Sequence, residues 1–280
     1  MFSFGLGVSS YHGDLHDVVY DGLGSAVGSN LGIGLRKKFG SQISMRLDLN
    51  WYGIGGDDAD SGFLAGKDPD QRGGPREGQN DTRFVRNLSF SSRNLEASLF
   101  FTFNLIPVNG SYTRRPVLNP YLLLGIGITT NNPTAETDAL GKVNLRHLNT
   151  EALPGLGYSG TAMVIPLGIG IRLKATQYVD ILFEAARRFT FTDYLDDVST
   201  EFPSLQELRD AGRIGNISDA EILFDRSAEA GYPTRKPGDD RGNPEKNDAY
   251  YIFQVRLELY LPDNFIKQLF QPSRRKPKFR

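Results

Sequence analysis

The stretch at residues 43–52, ISMRLDLNWY, decides the fold class. Apolar residues occupy every odd position: Ile43, Met45, Leu47, Leu49 and Trp51. Polar residues occupy every even position: Ser44, Arg46, Asp48, Asn50 and Tyr52. Because successive side chains of a β-strand point to opposite faces, the pattern predicts a strand with one apolar face and one charged face.

The same alternation recurs in seven further segments, at 2–9, 30–36, 94–103, 121–128, 164–173, 179–186 and 251–261. Their apolar faces carry almost no charge, whereas their polar faces carry glycines and both signs of charge. Aromatic residues lie near both ends of the apolar faces: Phe2, Phe4, Phe39 and Phe103 toward one rim, and Trp51, Phe189, Phe191 and Tyr251 toward the other. We therefore predict an all-β protein, an eight-stranded antiparallel transmembrane β-barrel with the charged faces lining its lumen.

The alternative is a soluble β-sandwich or lipocalin-like barrel, in which the apolar faces would point inward. In the membrane interpretation, Arg187 would face lipid, unless it lies at the outer interface or a bulge shifts the strand. The composition permits both classes, since 39% of the 280 residues are hydrophobic and the net charge is -1. A transmembrane barrel strand needs only about 9–11 residues, half of them apolar, so a low average hydropathy does not exclude a barrel.

The predicted connections alternate in length. Short connections lie around 39–41, 107–118 and 175–177, and long connections span 11–29, 55–88, 130–160 and 193–247. This alternation is typical of outer-membrane barrels with short periplasmic turns and long extracellular loops. An even number of strands then leaves both termini periplasmic. No signal peptide is visible, and we interpret the sequence as a mature, truncated or mis-started form.

A barrel of eight strands is only wide enough to be filled by its own side chains, so we predict a plugged lumen rather than an open pore. The inward charges must pair with one another, because an unpaired charge in a narrow lumen is costly. The predicted lumen charge network comprises Arg46, Asp48, Glu96, Glu184, Arg188, Arg256 and Glu258.

The chain divides into a barrel at 1–262 and a basic periplasmic tail at 263–280. The tail carries Arg274, Arg275, Lys276, Lys278 and Arg280. We predict that these residues bind a partner; the alternative is a disordered, solubilising end. Within the last loop, 203–211 and 219–230 are predicted to form short helices, the second capped by Ser218.

No catalytic, metal or cofactor residue is predicted. Some eight-stranded barrels are lipid-modifying enzymes with a Ser/His/acid set at the outer rim, and His12 lies near that rim, but it is interpreted as a loop residue. The chain has no cysteine to bind a metal as a thiolate. Two groups of carboxylates, Asp57, Asp58 and Asp60 and then Asp193, Asp196 and Asp197, lack the EF-hand spacing. They are interpreted as solvated loop acids.

Four stretches carry a resemblance to a known family. These are Tyr-His-Gly-Asp-Leu at 11–15, Asn-Pro-Tyr at 119–121, Phe-Thr-Asp-Tyr-Leu-Asp-Asp-Val-Ser at 191–199, and Asp-Arg-Gly-Asn-Pro at 240–244 followed by Asn247 and Asp248. Together they resemble the PorG-like outer-membrane barrel family of Bacteroidetes. The resemblance implies a component of the type IX secretion and gliding machinery that ties a periplasmic ring, formed by a lipoprotein and its partner, to the outer membrane. It implies no enzymatic activity and no cofactor.

Three functions are therefore carried forward. The first is a structural anchor in type IX secretion, with the periplasmic ring proteins and outer-membrane lipids as partners and no nucleic acid. The second is a stand-alone outer-membrane barrel with an adhesive or membrane-stabilising role through its long loops. The third is a lipid-modifying barrel enzyme, which would depend on His12.

Overall fold

Each segment with alternating polarity forms one long strand. The computed structural model describes residues 1–16, 27–60, 85–109 and 114–260. The barrel strands are β1 (Phe2–His12), β2 (Val27–Lys38), β3 (Ile43–Asp57), β4 (Ser89–Asn104), β5 (Leu118–Thr130), β8 (Thr161–Lys174), β9 (Val179–Thr190) and β10 (Ala249–Leu259). Two short strands, β6 (Thr134–Thr137) and β7 (Gly141–Asn144), form a hairpin in the connection between β5 and β8.

The eight long strands close into an antiparallel barrel. Each pairs with its neighbour in the order β1-β2-β3-β4-β5-β8-β9-β10, and β10 pairs with β1 to complete the ring. The predicted eight-stranded antiparallel barrel is therefore confirmed. The ladder between β5 and β8 is interrupted where Gly125 and Ile126 face Ile165 and Pro166. Proline has no backbone N–H to donate, and the register is the same on both sides of the gap.

The apolar faces of the strands point outward. Leu6, Leu47, Ile126 and Leu257 are each about half exposed, and Ile169 is 63% exposed. The charged faces point inward, where Arg46 and Glu258 are buried. The soluble alternative is therefore wrong, because such a belt of exposed apolar side chains requires lipid as its solvent. The chain is a membrane-spanning β-barrel.

The two ends of the barrel differ. At one end, called the turn end, lie the connections 39–42 and 175–178 and the described residues 105–109 and 114–117 of a third connection. The first and last described residues also lie there: the Met1 amino group donates to the Arg36 carbonyl at 2.9 Å, and the Tyr260 N–H donates to the Tyr178 carbonyl at 2.8 Å. At the other end, the loop end, lie residues 13–16, 58–60 and 85–88 and the connections 131–160 and 191–248. The basic tail and residue 262, the predicted limit of the barrel, lie outside the described residues.

The described parts of the loop-end connections fold together over the barrel mouth and are called the cap. Its last connection contains α1 (Leu205–Asp210) and α2 (Ile217–Leu223). Ser204 and Glu207 form a reciprocal capping box at the start of α1. The predicted second helix was misplaced: α2 begins after Asn216, ends at Leu223, and is followed by a separate 3-10 turn at Ser227–Ala230. No helix among the described residues has the length and apolar character needed to cross a membrane.

The cap and the barrel mouth share one apolar core. Cap residues Leu148, Leu195, Leu208 and Leu223 pack in the same buried cluster as inward-facing barrel residues, which include Tyr11, Tyr52, Ile54, Tyr250 and Ile252. Burying these side chains removes about 1.5–3 kcal/mol of unfavourable hydration for each fully buried leucine. The cap is therefore a folded layer seated on the barrel.

Candidate functional site: the barrel lumen and the cap

The middle of the lumen holds a four-membered ion cluster. Arg46 forms a bidentate pair with Glu184, with Nη1–Oε1 at 2.5 Å and Nη2–Oε2 at 2.8 Å. Its Nε lies 2.9 Å from Asp48 Oδ2. Arg256 approaches the same Asp48 carboxylate at 2.9 and 3.2 Å. Two cations thus face two carboxylates, and the cluster is neutral.

Nearer the loop end, Glu96 organises a second group. Its Oε2 accepts from the Tyr250 hydroxyl at 2.6 Å and from Arg188 Nε at 3.3 Å. The Tyr250 ring stacks on the Tyr52 ring, with centroids 4.7 Å apart. This layer joins the charged lumen to the apolar core beneath the cap.

Nearer the turn end, Glu258 pairs with Arg36 through a bidentate contact. Arg172 lies 3.8 Å from the same carboxylate and 3.6 Å from Asp180. Asp180 also pairs with Arg115, with Nη2–Oδ1 at 2.5 Å. Arg36, Arg172 and Asp180 are absent from the predicted network, although the alternation places all three on inward faces. Arg115 lies in the connection between β4 and β5, where no periodicity reveals it.

All seven residues of the predicted lumen network thus lie inside the barrel and are buried. The lumen around them is tightly packed. A Cβ added at Gly34 would lie 2.2 Å from Asp48 Oδ1, and one added at Gly170 would lie 2.4 Å from the Tyr121 ring. These glycines are required by the close approach of side chains from across the barrel. The lumen is filled by its own side chains, as expected for this strand number.

At the base of the cap, one tyrosine links two carboxylates. The Tyr11 hydroxyl oxygen lies 2.6 Å from Asp196 Oδ2 and 2.5 Å from Asp248 Oδ1. Burial raises the pKa of both Asp196 and Asp248 well above their usual range, and the charge of each neighbouring acid adds to the increase. A hydroxyl has only one proton to donate, so the close approach of both acids requires a proton to be held between them.

In the upper cap, Arg241 is the central cation. Its Nη1 donates to Glu151 Oε1 at 2.9 Å and also to the Asp197 carbonyl, and its Nη2 lies 3.6 Å from Asp197 Oδ2. The Glu151 carboxylate also accepts from the backbone N–H of Ser199 at 2.8 Å and of Thr200 at 3.1 Å. One buried ion pair therefore joins the connections 131–160 and 191–248.

A second arginine joins the remaining connections. Arg86 binds Asp58 at 2.7 and 2.8 Å and donates to the backbone carbonyls of Arg241 and Asp14. Asp14 Oδ2 in turn accepts from the Asn243 N–H at 2.8 Å. All four loop-end connections are thus tied into one network.

The prediction of solvated loop acids is wrong for most of these residues. Asp58, Asp196 and Asp197 are almost completely buried, and Asp193 is 7% exposed. The loops fold over the barrel mouth and bring arginine, tyrosine or backbone N–H groups to Asp58, Asp196 and Asp197. Burial raises the pKa of Asp193 to about 7 and, against the opposing effect of Arg241, that of Asp197 to about 6.

The network draws together three stretches that are distant in the sequence. Tyr11 and Asp14 come from 11–15, Asp196 and Asp197 from 191–199, and Arg241, Asn243 and Asp248 from 240–248. These stretches carry the family resemblance, and the fourth contributes inside the lumen, where the Tyr121 hydroxyl donates to Glu184 at 2.5 Å. The sequence analysis did not predict the buried contacts of the acids in the cap. The motif stretches were the only feature of the sequence that pointed to them.

The histidines lie apart from one another. His12 is the last residue of β1, not a loop residue, and its ring centroid lies 6.2 Å from that of Tyr251. His16 is buried in the cap, and His147 ends a 3-10 turn at Leu145–His147. Among the described residues, no group of three or more His, Cys, Asp or Glu side chains is placed to hold a metal ion.

Comparisons with known proteins find structural likeness only. The fold is similar to Neisserial surface protein A (TM-score 0.38, 10% identity, 93% of this chain and 97% of that chain) and to Ail, the attachment invasion locus protein of Yersinia pestis (TM-score 0.37, 8% identity, 92% and 95%). It is also similar to the outer membrane enzyme PagL (TM-score 0.34, 8% identity, 93% and 99%). No protein-family model matches the sequence, and no curated protein matches it.

Proposed function

We propose that this chain is an outer-membrane β-barrel that acts as a structural anchor of the type IX secretion machinery. The short turns and both ends of the barrel domain would face the periplasm, and the cap would face the outside. One observation carries the proposal: the three long stretches that resemble the PorG-like family converge into a single buried network in the cap. Motif stretches that meet in one structural unit support membership of the PorG-like family more strongly than motif stretches scattered over the fold would.

The lumen supports an anchoring role over a transport role. Ion clusters fill it from the turn end to the base of the cap, and the buried charges are paired with close partners. Conduction through this barrel would require breaking those pairs, which is strongly unfavourable in a narrow, poorly hydrated space. The surfaces left for partners are the turn end, the basic tail and the outer face of the cap.

The test is recovery of partners from detergent-solubilised outer membrane. The tagged barrel should recover the periplasmic lipoprotein and its ring partner under mild conditions. A matched variant with Arg274, Arg275, Lys276, Lys278 and Arg280 all changed to glutamine tests the tail and should recover less of both. Recovery of neither ring protein by the unaltered barrel would overturn the anchoring role.

A deletion strain separates the anchor from the alternatives. Loss of type IX secretion is expected on deletion. Intact secretion with weakened adhesion or envelope integrity would favour the stand-alone barrel instead. Reconstituted into planar bilayers, the purified barrel should show no steady conductance, and a stable open pore would contradict the plugged lumen.

A further inference from the structure

The lipid-facing surface carries an arginine within its apolar belt. Arg187 lies on the outward face of β9, with Ala185 and Phe189 as its neighbours on the same face. It is paired across the strands with Leu167 of β8 and Tyr251 of β10. Both ladders run through this position without a bulge, so the arginine is held on the lipid side by the strand register.

Aromatic rings hold the guanidinium in place. Its central carbon lies 4.7 Å from the centroid of the Phe189 ring and 5.6 Å from that of Tyr251. Such cation–π contacts offset part of the cost of placing a cation beside hydrocarbon. The Arg187 Nε is nevertheless buried without a hydrogen-bond acceptor among the described residues. The geometry therefore presents a fixed cation whose Nε has no acceptor in the described part of the chain.

A second nitrogen-bearing side chain lies beside the first. His12, at the loop end of β1, packs its ring against the same Tyr251 ring. It faces Ala249 of β10, which in turn faces Phe189. Arg187 and His12 therefore flank Tyr251 on the same outward surface, close to the loop-end rim.

An apolar groove lies on the turn-end side of this pair. It has a volume of about 690 Å³ and runs across β1, β10, β9, β8 and β5, with Val8, Phe253, Ala185, Ile169 and Leu122 in its lining. The small side chain of Ala185, two residues before Arg187 on the same face, lies opposite Phe253 and Ile169 and leaves the space between them open. The cation thus stands at the loop-end head of a hydrocarbon groove.

We propose that this surface is a binding site for a phosphorylated acyl lipid of the leaflet on the loop side. The phosphate would accept hydrogen bonds from the Arg187 guanidinium, whose planar fork matches phosphate oxygens, and from His12. An acyl chain would occupy the groove. A second copy of the chain is a poorer occupant, because it would cover Arg187 with another apolar belt and provide no anion.

Native mass spectrometry of the detergent-purified barrel tests the site, with diphosphoryl lipid A as the probe and its enzymatically dephosphorylated form as the comparison. The phosphorylated lipid should remain bound, and the dephosphorylated form should bind at least about tenfold more weakly, as the loss of a charge-assisted hydrogen bond requires. Arg187→Gln should weaken the binding of the phosphorylated lipid by the same factor. Millimolar inorganic phosphate should not displace the lipid.

Two further variants make the test specific. Arg93→Gln removes another outward arginine near the loop end, which lies over the Trp51 ring at 6.0 Å on β4, a strand that contributes no residue to the groove. It should bind the lipid as the unaltered barrel does. Ala185→Leu fills the groove without changing the charge and should weaken binding. A heat-modifiability gel on each variant verifies that the barrel has folded.

Four results would overturn the proposal. Lipid binding that survives Arg187→Gln would exclude a role for the Arg187 guanidinium in the site. Equal losses from Arg187→Gln and Arg93→Gln would show a general attraction of anionic lipid to the rim. Full binding by Ala185→Leu would show that the groove does not contribute to lipid binding. Displacement of the lipid by inorganic phosphate would show that a free anion is the ligand.

Discussion

The lumen and the cap both contain buried arginine–carboxylate networks, but they are positioned by different parts of the chain. In the lumen, Arg46, Asp48 and Glu184 stand on strands whose register determines where each side chain points. In the cap, Arg241, Glu151 and Asp197 come from connections and lie outside the named strands. The same chemistry is therefore supported by continuous strand pairing in one region, and in the other by side-chain contacts and isolated loop hydrogen bonds, such as that from the Arg241 N–H to the Thr200 carbonyl at 2.8 Å.

This difference predicts that the loss of an ion pair has different consequences in the lumen and in the cap. Breaking a lumen pair leaves a charge inside the barrel wall, where the hydrogen-bonded strands cannot move apart to hydrate it. Breaking a cap pair leaves a charge in loops that can open to water, since local opening costs less than global unfolding. The lumen should thus control the stability of the whole barrel, and the cap should control its own closure.

The largest effect is expected for Arg46→Ala. The change removes the bidentate partner of Glu184 and leaves Arg256 as the one cation beside both carboxylates among the described residues, and removing one partner of a buried pair costs about 3–5 kcal/mol. The free energy of unfolding in lipid vesicles should fall by that amount. Urea titration followed by the fluorescence of Trp51, the only tryptophan in the chain, measures it.

A double variant distinguishes the pairing from simple loss of packing. Arg46→Met with Glu184→Leu removes both charges while retaining side-chain volume, and it should recover much of the lost stability. If the double variant is as unstable as Arg46→Ala, the contribution of Arg46 lies in packing over the Phe100 ring, 5.2 Å away, and not in its charge.

The second effect is local. Arg241→Ala should open the cap, because Glu151 and Asp197 would lose their common cation while the barrel strands below remain paired. Limited proteolysis should cleave 191–248 faster than in the unaltered protein, while the heat-modifiability of the barrel is unchanged. Unfolding of the whole barrel by this change would show that the cap and the barrel are one cooperative unit.

The contrast also explains what the sequence could predict. A period of two is a local property, so residues 43–52 suffice to place Arg46 and Asp48 in a lumen and to imply an apolar belt. The pairing of Tyr11 with Asp248 joins residues 237 apart, and no local pattern encodes it. Arg115 was missed for the same reason, since it enters the lumen from a connection. Acids in polar loops were interpreted as solvated because composition cannot show a loop folding back over the barrel mouth.

A smaller, graded effect is expected from pH. The pKa of Asp193 is raised to about 7 and that of Asp197 to about 6, whereas an unfolded aspartate titrates near about 3.9. The closed cap thus holds protons that the open cap releases. This contribution to cap stability is complete below the unfolded pKa and is lost as the pH rises through about 6 to 7. Proteolysis of 191–248 should therefore be faster at pH 8 than at pH 5 when measured with an acid-tolerant and a neutral protease.

The isosteric change Asp193→Asn provides the control for the pH effect. It removes the titrating proton while the other acids near Asp193, Asp14 and Glu151, stay in place. The pH profile should become flatter between pH 5 and 7. An unchanged profile would assign the titration to Asp197, and the corresponding test would be Asp197→Asn.

The smallest effect is expected at an exposed ion pair whose interatomic distance is similar to those of the buried pairs. Arg209 of α1 contacts Glu221 of α2 at 2.6 Å, as short a distance as many of the buried pairs. Its side chain is 54% exposed, and water solvates the carboxylate as soon as the arginine is removed. Arg209→Ala should therefore leave both the proteolysis rate of 191–248 and the urea midpoint unchanged within error. If it opened the cap as Arg241→Ala does, contact between the two helices would be what closes the cap, and burial would no longer separate the pairs that matter from those that do not.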